Sequence, residues 1–324
     1  MQIPFNRSYL TGKEEKYIKD VLQRRELSGD SYYTEKVTSL LEKKFGLNKV
    51  LMTTSCTHAL EMAVELIDLK EGEEVIMPSF TFPSTANAVL SKGGRPVFAE
   101  INKNTFNLDP SDIEDKITEE TRAIIPVHYA GIGCEMDEIV HLGEKYNLYI
   151  IEDAAQGVNA SYKEEYLGGI GDFGCYSFHG SKDYVSGEGG ALIINNDSDH
   201  LKERAEIIRE KGTDRARFLR GEVDKYTWVD RGSSYLPSDL LMAVLYAQLK
   251  EMKKIKDMRR RIFAEYYNSL KGYLDSSFLD SITSIHQRRD SNFHIFYLKF
   301  TSGEIRDFVL NELQDRGISD TFHC

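Results

Sequence analysis

The 324-residue chain is long enough for about two domains, at roughly 100 to 200 residues per domain. With 41% hydrophobic and 29% charged residues, 24 Gly and 7 Pro, it excludes a disordered, collagen-like or low-complexity polymer. Lys plus Arg total 41 against 52 Asp plus Glu, a net charge of −11 that repels a phosphate backbone, and no apolar run reaches the roughly 18 residues of a membrane span; neither nucleic acid nor a bilayer is an expected partner.

The opening MQIPFNRSYL lacks a basic segment followed by an apolar one, so a cytoplasmic protein is expected. Four dispersed cysteines, Cys56, Cys134, Cys175 and Cys324, form no CxxC pair, which predicts reduced thiols and no metal site.

The first predicted strand is KVLMTT near residue 49, followed by the helix-period segment ALEMAVELIDL. Between them Ser55, Cys56 and Thr57 open the helix, whose free amides and positive dipole end suit a phosphate; Ser55 would equally serve as a plain N-cap. The second strand, EEVIMPS near 73, leads into SFTFPSTANAV, where Phe80 or Phe82 can present an aromatic face to a flat heterocycle or pack in the core. Strands follow at RPVFAEI near 95, RAIIPVH near 122 and LYIIEDA near 148, with the helix MDEIVHLGEKY between the last two. The fifth strand ends in Glu152 and Asp153, and alternation sends one of these two carboxylates toward a site at the strand ends. The sixth, FGCYSFH near 173, runs into SFHGSKDYVSGEGG, a polar Gly-rich turn carrying Ser177, His179 and Lys182, before the seventh, GGALIIN near 189. A partly desolvated Lys there is a candidate Schiff-base nucleophile, although an isolated Lys is usually a surface charge. His128 and His179 read as hydrogen-bonded framework rather than catalytic bases.

Unbroken apolar strands alternating with amphipathic helices predict the α/β class, with a mostly parallel seven-stranded sheet between helices. From about residue 240 the pattern changes to one long helical stretch, LLMAVLYAQLKEMKKIKDMRRRIFAEYYNSL, and a short αβ tail. We therefore expect a large domain over 1–240, then a linker helix and small C-terminal domain over 241–324. The basic run Lys250, Lys253, Lys254, Lys256, Arg259, Arg260 and Arg261 reads as a solvated helix face.

Together these parts form one device: a helix N-terminus for a phosphate, an aromatic plate for a ring, an acid for a ring nitrogen and an amine for an aldehyde. That combination matches the needs of pyridoxal 5'-phosphate (PLP). A dinucleotide-binding dehydrogenase is disfavoured, because no GxGxxG follows the first strand.

At SCTHALEMA, EDAAQG and SFHGSK followed by GEGG, and in register along essentially the whole chain, the sequence resembles the DegT family of PLP-dependent nucleotide-sugar aminotransferases. The resemblance implies fold type I, a homodimer, and PLP as cofactor. By position, Lys182 matches the family's Schiff-base lysine, Asp153 the acid at the pyridinium and Gln156 the residue beside the ring hydroxyl. Phe82 matches the ring-stacking aromatic, and Cys56, Thr57 and Ser177 the phosphate-binding positions. Ser234 stands where many relatives place an Asn that reaches the phosphate from the neighbouring subunit. Lys225 and Arg231 are expected contacts to the substrate's diphosphate.

Three further stretches, IPFN, PVHYAGIGCEMDEI and REKGTDRARFLRGEVDKYTWVDRGSSYLPSDL, resemble the members that move an amino group from glutamate to the 4-keto group of TDP-4-keto-6-deoxy-D-glucose, giving TDP-4-amino-4,6-dideoxy-D-galactose for surface polysaccharide. Two alternatives stay open: another 3- or 4-aminotransferase of the family, or a catalytically impaired binding or regulatory relative, because the sequence ends at FHC where the family normally continues. Lys182 disfavours a related dehydratase that lacks the lysine, and His323 and Cys324 receive no role.

Overall fold

The structure is a computed structural model that describes residues 2–274, 276–285 and 288–322; His323 and Cys324 lie outside the described residues. In chain order the helices are α1 (Glu14–Arg24), α2 (Tyr32–Phe45), α3 (Cys56–Leu66), α4 (Pro83–Leu90), α5 (Pro110–Glu114), α6 (Met136–Tyr146), α7 (Asp199–Arg209), α8 (Arg215–Leu219), α9 (Asp239–Lys250), α10 (Met252–Leu270) and α11 (Gly303–Asp315). The strands are β1 (Lys49–Thr53), β2 (Glu74–Pro78), β3 (Arg95–Ala99), β4 (Thr121–Ile124), β5 (Tyr149–Asp153), β6 (Ser161–Tyr162), β7 (Glu165–Tyr166), β8 (Phe173–Ser177), β9 (Gly190–Ile194), β10 (Leu279–Ile282), β11 (Arg289–Asp290) and β12 (Leu298–Phe300).

All seven expected strands form one sheet, in the order β1-β9-β8-β5-β4-β2-β3. β9 runs antiparallel to both β1 and β8; the other pairings are parallel. Strand alternation explains why these runs are apolar throughout. Val50, Met52, Ile150, Tyr176 and Ile193 pack into one core cluster with α1, α2, α6 and α9. Their neighbours Leu51, Ile151, Cys175 and Leu192 pack into a second with α3, α4 and α7. Both faces are dry along β2, β5, β8 and β9, where alternate polar positions would be costly, while the edge strand β3 is more exposed.

The segment 240–270 is two helices rather than one. The break falls at Glu251 (φ −110°, ψ 16°), where α9, buried against α1 and α2, gives way to α10, which keeps only Met252, Ile255 and Lys256 buried. Lys13 forms an ion pair with Glu251 at this break. The basic run is also not wholly solvated. Lys256 is buried and donates to the Asn159 carbonyl (2.9 Å) and Asp290 (2.7 Å). Arg259 reaches Asp183 (2.9 Å) and the carbonyls of Phe293 (3.2 Å) and His294 (2.7 Å). Helical periodicity turns these two cations inward, and each finds the partners that a buried charge requires.

Candidate active site

The site lies at one edge of the sheet, where β1, β5 and β8 end and β9 begins. Thr53, Gly190 and Ser177 are register partners across β1, β9 and β8. By parity Thr53, Asp153 and Ser177 belong with Leu51, Ile151 and Cys175, so alternation places all three on the face covered by α3 and α4.

α3 starts immediately beyond β1. Ser55 caps it, its Oγ accepting from His58 N (3.1 Å), which leaves the amides of Cys56 and Thr57 without intrahelical acceptors. Ser55 is thus the N-cap of α3. Gly190 presses against this turn: a Cβ there would lie 2.3 Å from the Ser55 carbonyl carbon and 2.4 Å from Cys56 N. Thr57 Oγ1 hydrogen-bonds Ser84 Oγ at 2.8 Å, tying α3 to α4.

Asp153 is buried. Its Oδ2 accepts from Thr85 Oγ1 (2.8 Å) and its Oδ1 from Ala155 N (3.2 Å). Glu152 points to the opposite face and accepts from His128 Nε2 (2.9 Å) and from the amides of Gly168, Ile170 and Gly171 (2.7–2.8 Å). Because His128 Nδ1 accepts from Cys134 N (3.2 Å), this tautomer donates from Nε2, and His128 is framework as expected. His179, by contrast, is exposed in a turn with Ser181.

Lys182 sits half-buried at the tip of the hairpin that joins β8 to β9, and its ammonium has no ion-pair partner among the described residues. It shares a small cleft with Gln156, Ser177, Asp183, Asn292 and His294. Burial pushes the Cys56 thiol far above its ordinary pKa; the Asp153 carboxylate adds to the rise and the Lys182 ammonium opposes it. One sulfur at the head of α3 therefore feels both charges.

Phe82 is 74% exposed and begins α4, where its carbonyl accepts from Thr85 N (3.1 Å), one helical turn from the group that holds Asp153. Phe80 instead packs against Phe106 and Tyr129 in a separate aromatic cluster. Gln156 Oε1 accepts from Ala130 N at 2.7 Å. Ser177 is buried, its Oγ accepting weakly from His179 N (3.4 Å). Ser234 is exposed, in a segment whose neighbour Tyr235 accepts from Thr54 N (2.9 Å) beside the α3 turn. Lys225 and Arg231 are exposed on the 221–234 loop, and neither makes an ion pair with a site residue among the described residues. A larger groove of about 660 Å³ lies at the amino ends of β4 and β5, lined by residues such as Arg122, Tyr149 and Asp172; it contains none of the candidate residues.

The DegT/DnrJ/EryC1/StrS aminotransferase family profile matches residues 9–324. The chain belongs to this family. It is 35% identical over 247 residues to an uncharacterized protein of Methanocaldococcus jannaschii, covering 74% of this chain and 64%, just under two thirds, of that protein. It is 30% identical over 321 residues to GDP-perosamine synthase of Caulobacter vibrioides, covering 97% of this chain and 82% of that enzyme. The crystal structure of the aminotransferase TlmJ from Streptoalloteichus hindustanus superposes with a TM-score of 0.91 at 24% identity, over 100% of this chain and 85% of that one, which shows the shared fold. This DegT-family chain has fold type I, and the family's cofactor is PLP.

The geometry fits that cofactor. The first amides of α3, whose turn packs against the bare Cα of Gly190, can receive a phosphate, Asp153 is a held carboxylate, and Lys182 has no ion-pair partner among the described residues. Sequence reasoning missed Thr85, Asp183, Asn292 and His294. Their partners lie 68 to 136 residues away, and no local pattern announces such pairings.

Proposed function

We propose that this protein is a PLP-dependent aminotransferase that moves an amino group from glutamate to the keto carbon of a nucleotide-linked sugar. The observation that carries this reading is the cleft in which Lys182 meets Ala155, Gln156 and Ser177, directly after the buried Asp153 that ends β5 and accepts from Ala155 N. When bound, PLP supplies an electrophilic aldehyde and an electron-withdrawing ring. The amides of Cys56 and Thr57 would hold its phosphate, and the open face of Phe82 would be available to its ring. Asp153, oriented by Thr85 and Ala155, holds a proton on the ring nitrogen by opposite-charge attraction. Gln156, in the same cleft as Lys182, would face the ring hydroxyl, and Lys182 Nζ would move a proton to or from the donor's α-carbon.

The finer reading, carried by residues 126–139 and 209–240, is amination of TDP-4-keto-6-deoxy-D-glucose at position 4. Similarity to GDP-perosamine synthases favours a second reading, in which a GDP-linked sugar takes its place. We further propose that the chain acts as a homodimer, with the exposed Ser234 offered to a partner's phosphate site and Lys225 and Arg231 to the substrate diphosphate; light scattering at twice 37.0 kDa checks the assembly. The division proposed at residue 240 would separate α9 from α1 and α2, with which it is buried.

Incubation with PLP, glutamate and each keto sugar, followed by mass spectrometry of the sugar product, tests the function. The wild type is expected to aminate one of the two, and Lys182→Ala neither. Turnover by Lys182→Ala at the wild-type rate would refute the assignment.

A further inference from the structure

Residues 289–294 belong to the C-terminal part of the chain, yet they thread between the two flanks of the candidate site. Their register is fixed outside it: Arg289 donates to the Gly133 carbonyl (2.7 Å) and pairs with Glu135, β11 pairs with β6, and Asp290 pairs with Lys256. Inside it, Asn292 Nδ2 donates to the carbonyls of Gln156 (2.7 Å) and Val158 (3.1 Å). The Asn292 side chain fills the space left by Gly131, where a Cβ would fall 1.8 Å from Asn292 Oδ1. His294 Nδ1 bonds Asp183 Oδ1 at 2.8 Å, and Arg259 braces the same carboxylate. Asp183 directly follows Lys182.

We propose that Asn292 and His294 are positioning residues: this segment sets the placement of Gln156 on one flank and of the Lys182 turn on the other. Neither has to touch substrate. The inference rests on the reading of Lys182 as the reactive amine. Its physical basis is that Lys182 sits at a hairpin tip, where a free turn samples many conformers, and misplacement of a reacting atom by about 1 Å costs about a hundredfold in rate. From the other side Asn6 and Ser8 donate to the carbonyls of Ser181 and Gly180, both at 2.7 Å, so the Asp183 anchor completes a two-sided grip.

Hydrogen exchange of the full chain, with and without PLP, tests the grip independently of catalysis. His294→Ala is expected to speed exchange over 180–186 by about tenfold or more, and Asn292→Ala to do so over 156–160. In the PLP-loaded protein mixed with glutamate alone, His294→Ala is expected to lower the saturating single-turnover rate by about tenfold or more, with the half-saturating glutamate concentration within about threefold. His294→Asn can place an amide donor near the Nδ1 position, and it is expected to restore most of both losses. Unchanged exchange over 180–186 in His294→Ala overturns the proposal. So does a rate loss that His294→Asn leaves unrepaired, which would mark a direct chemical role. If Lys182→Ala keeps full activity, the functional reading falls while the exchange result stands.

Discussion

Asp153 shows how a charged group is kept inside the protein. A buried carboxylate is costly unless it is hydrogen-bonded, and here one oxygen accepts from Thr85 and the other from Ala155 N. Thr85→Val keeps the shape and removes the hydroxyl, leaving that oxygen unsatisfied. The expected result is a loss of about 1–3 kcal/mol in denaturant-unfolding stability together with weaker PLP binding by spectroscopic titration. A variant as stable as the wild type would show that Thr85 does not hold the carboxylate. The positions of Asp153 and Lys182 at strand ends were legible in the sequence, because Asp153 ends one apolar strand and Lys182 follows another, and strand ends are where ligands of open α/β sheets bind. Thr85 and His294 were not, since each gains meaning only from a partner 68 or 111 residues distant.

At the scale of elements, the inner strands were legible because burial on both faces favours apolar residues at successive positions, and a run such as GALII satisfies that whatever its direction. For the same reason the antiparallel sense of β9 was not legible. The break at Glu251 was hidden because α9 is apolar on all sides while α10 is amphipathic, and a sequence window reads both simply as helix. The close approach of β9 to α3 depends on Gly190. A methyl at this position meets the backbone of Ser55 and Cys56 at 2.3–2.4 Å, and backbone atoms cannot rotate away as a flexible side chain could. Gly190→Ala is therefore expected to cost about 1–3 kcal/mol by overpacking and to displace the α3 amides. Calorimetry and PLP titration should both register it, the titration more strongly. Wild-type PLP affinity in this variant would mean that the phosphate binds elsewhere.

Across the whole molecule, segments distant in sequence meet at the candidate site. Ile3 pairs with Ile318, Asn6 and Ser8 grip the Lys182 turn, and His294 closes on Asp183. That last contact carries a pH dependence whose sign follows from its surroundings. Burial holds the His294 imidazole below its ordinary pKa near 6.5; Asp183 pulls the value up, while the Lys182 and Arg259 cations push it down. With the folded value depressed, the unfolded chain binds more protons than the folded one once pH drops below about 6.5. Stability contributed by neutral His294 is complete above that pH and declines as pH falls from about 6.5 toward the depressed folded value. Glu206 also loses stabilisation on acidification but in a lower window: burial alone would raise its pKa, yet hydrogen bonds from Lys49 and Arg220 hold it below the usual 4.5. The buried His128 also carries a shifted pKa, in the upward direction, but it is common to both proteins, so the difference between wild type and His294→Asn in thermal unfolding from pH 7.5 down to about 5.5 isolates His294. The wild type is expected to lose more stability over this interval than His294→Asn, with the extra loss accompanied by faster exchange over 289–294. Parallel pH profiles for the two proteins would show that His294 takes up no proton on unfolding in this range.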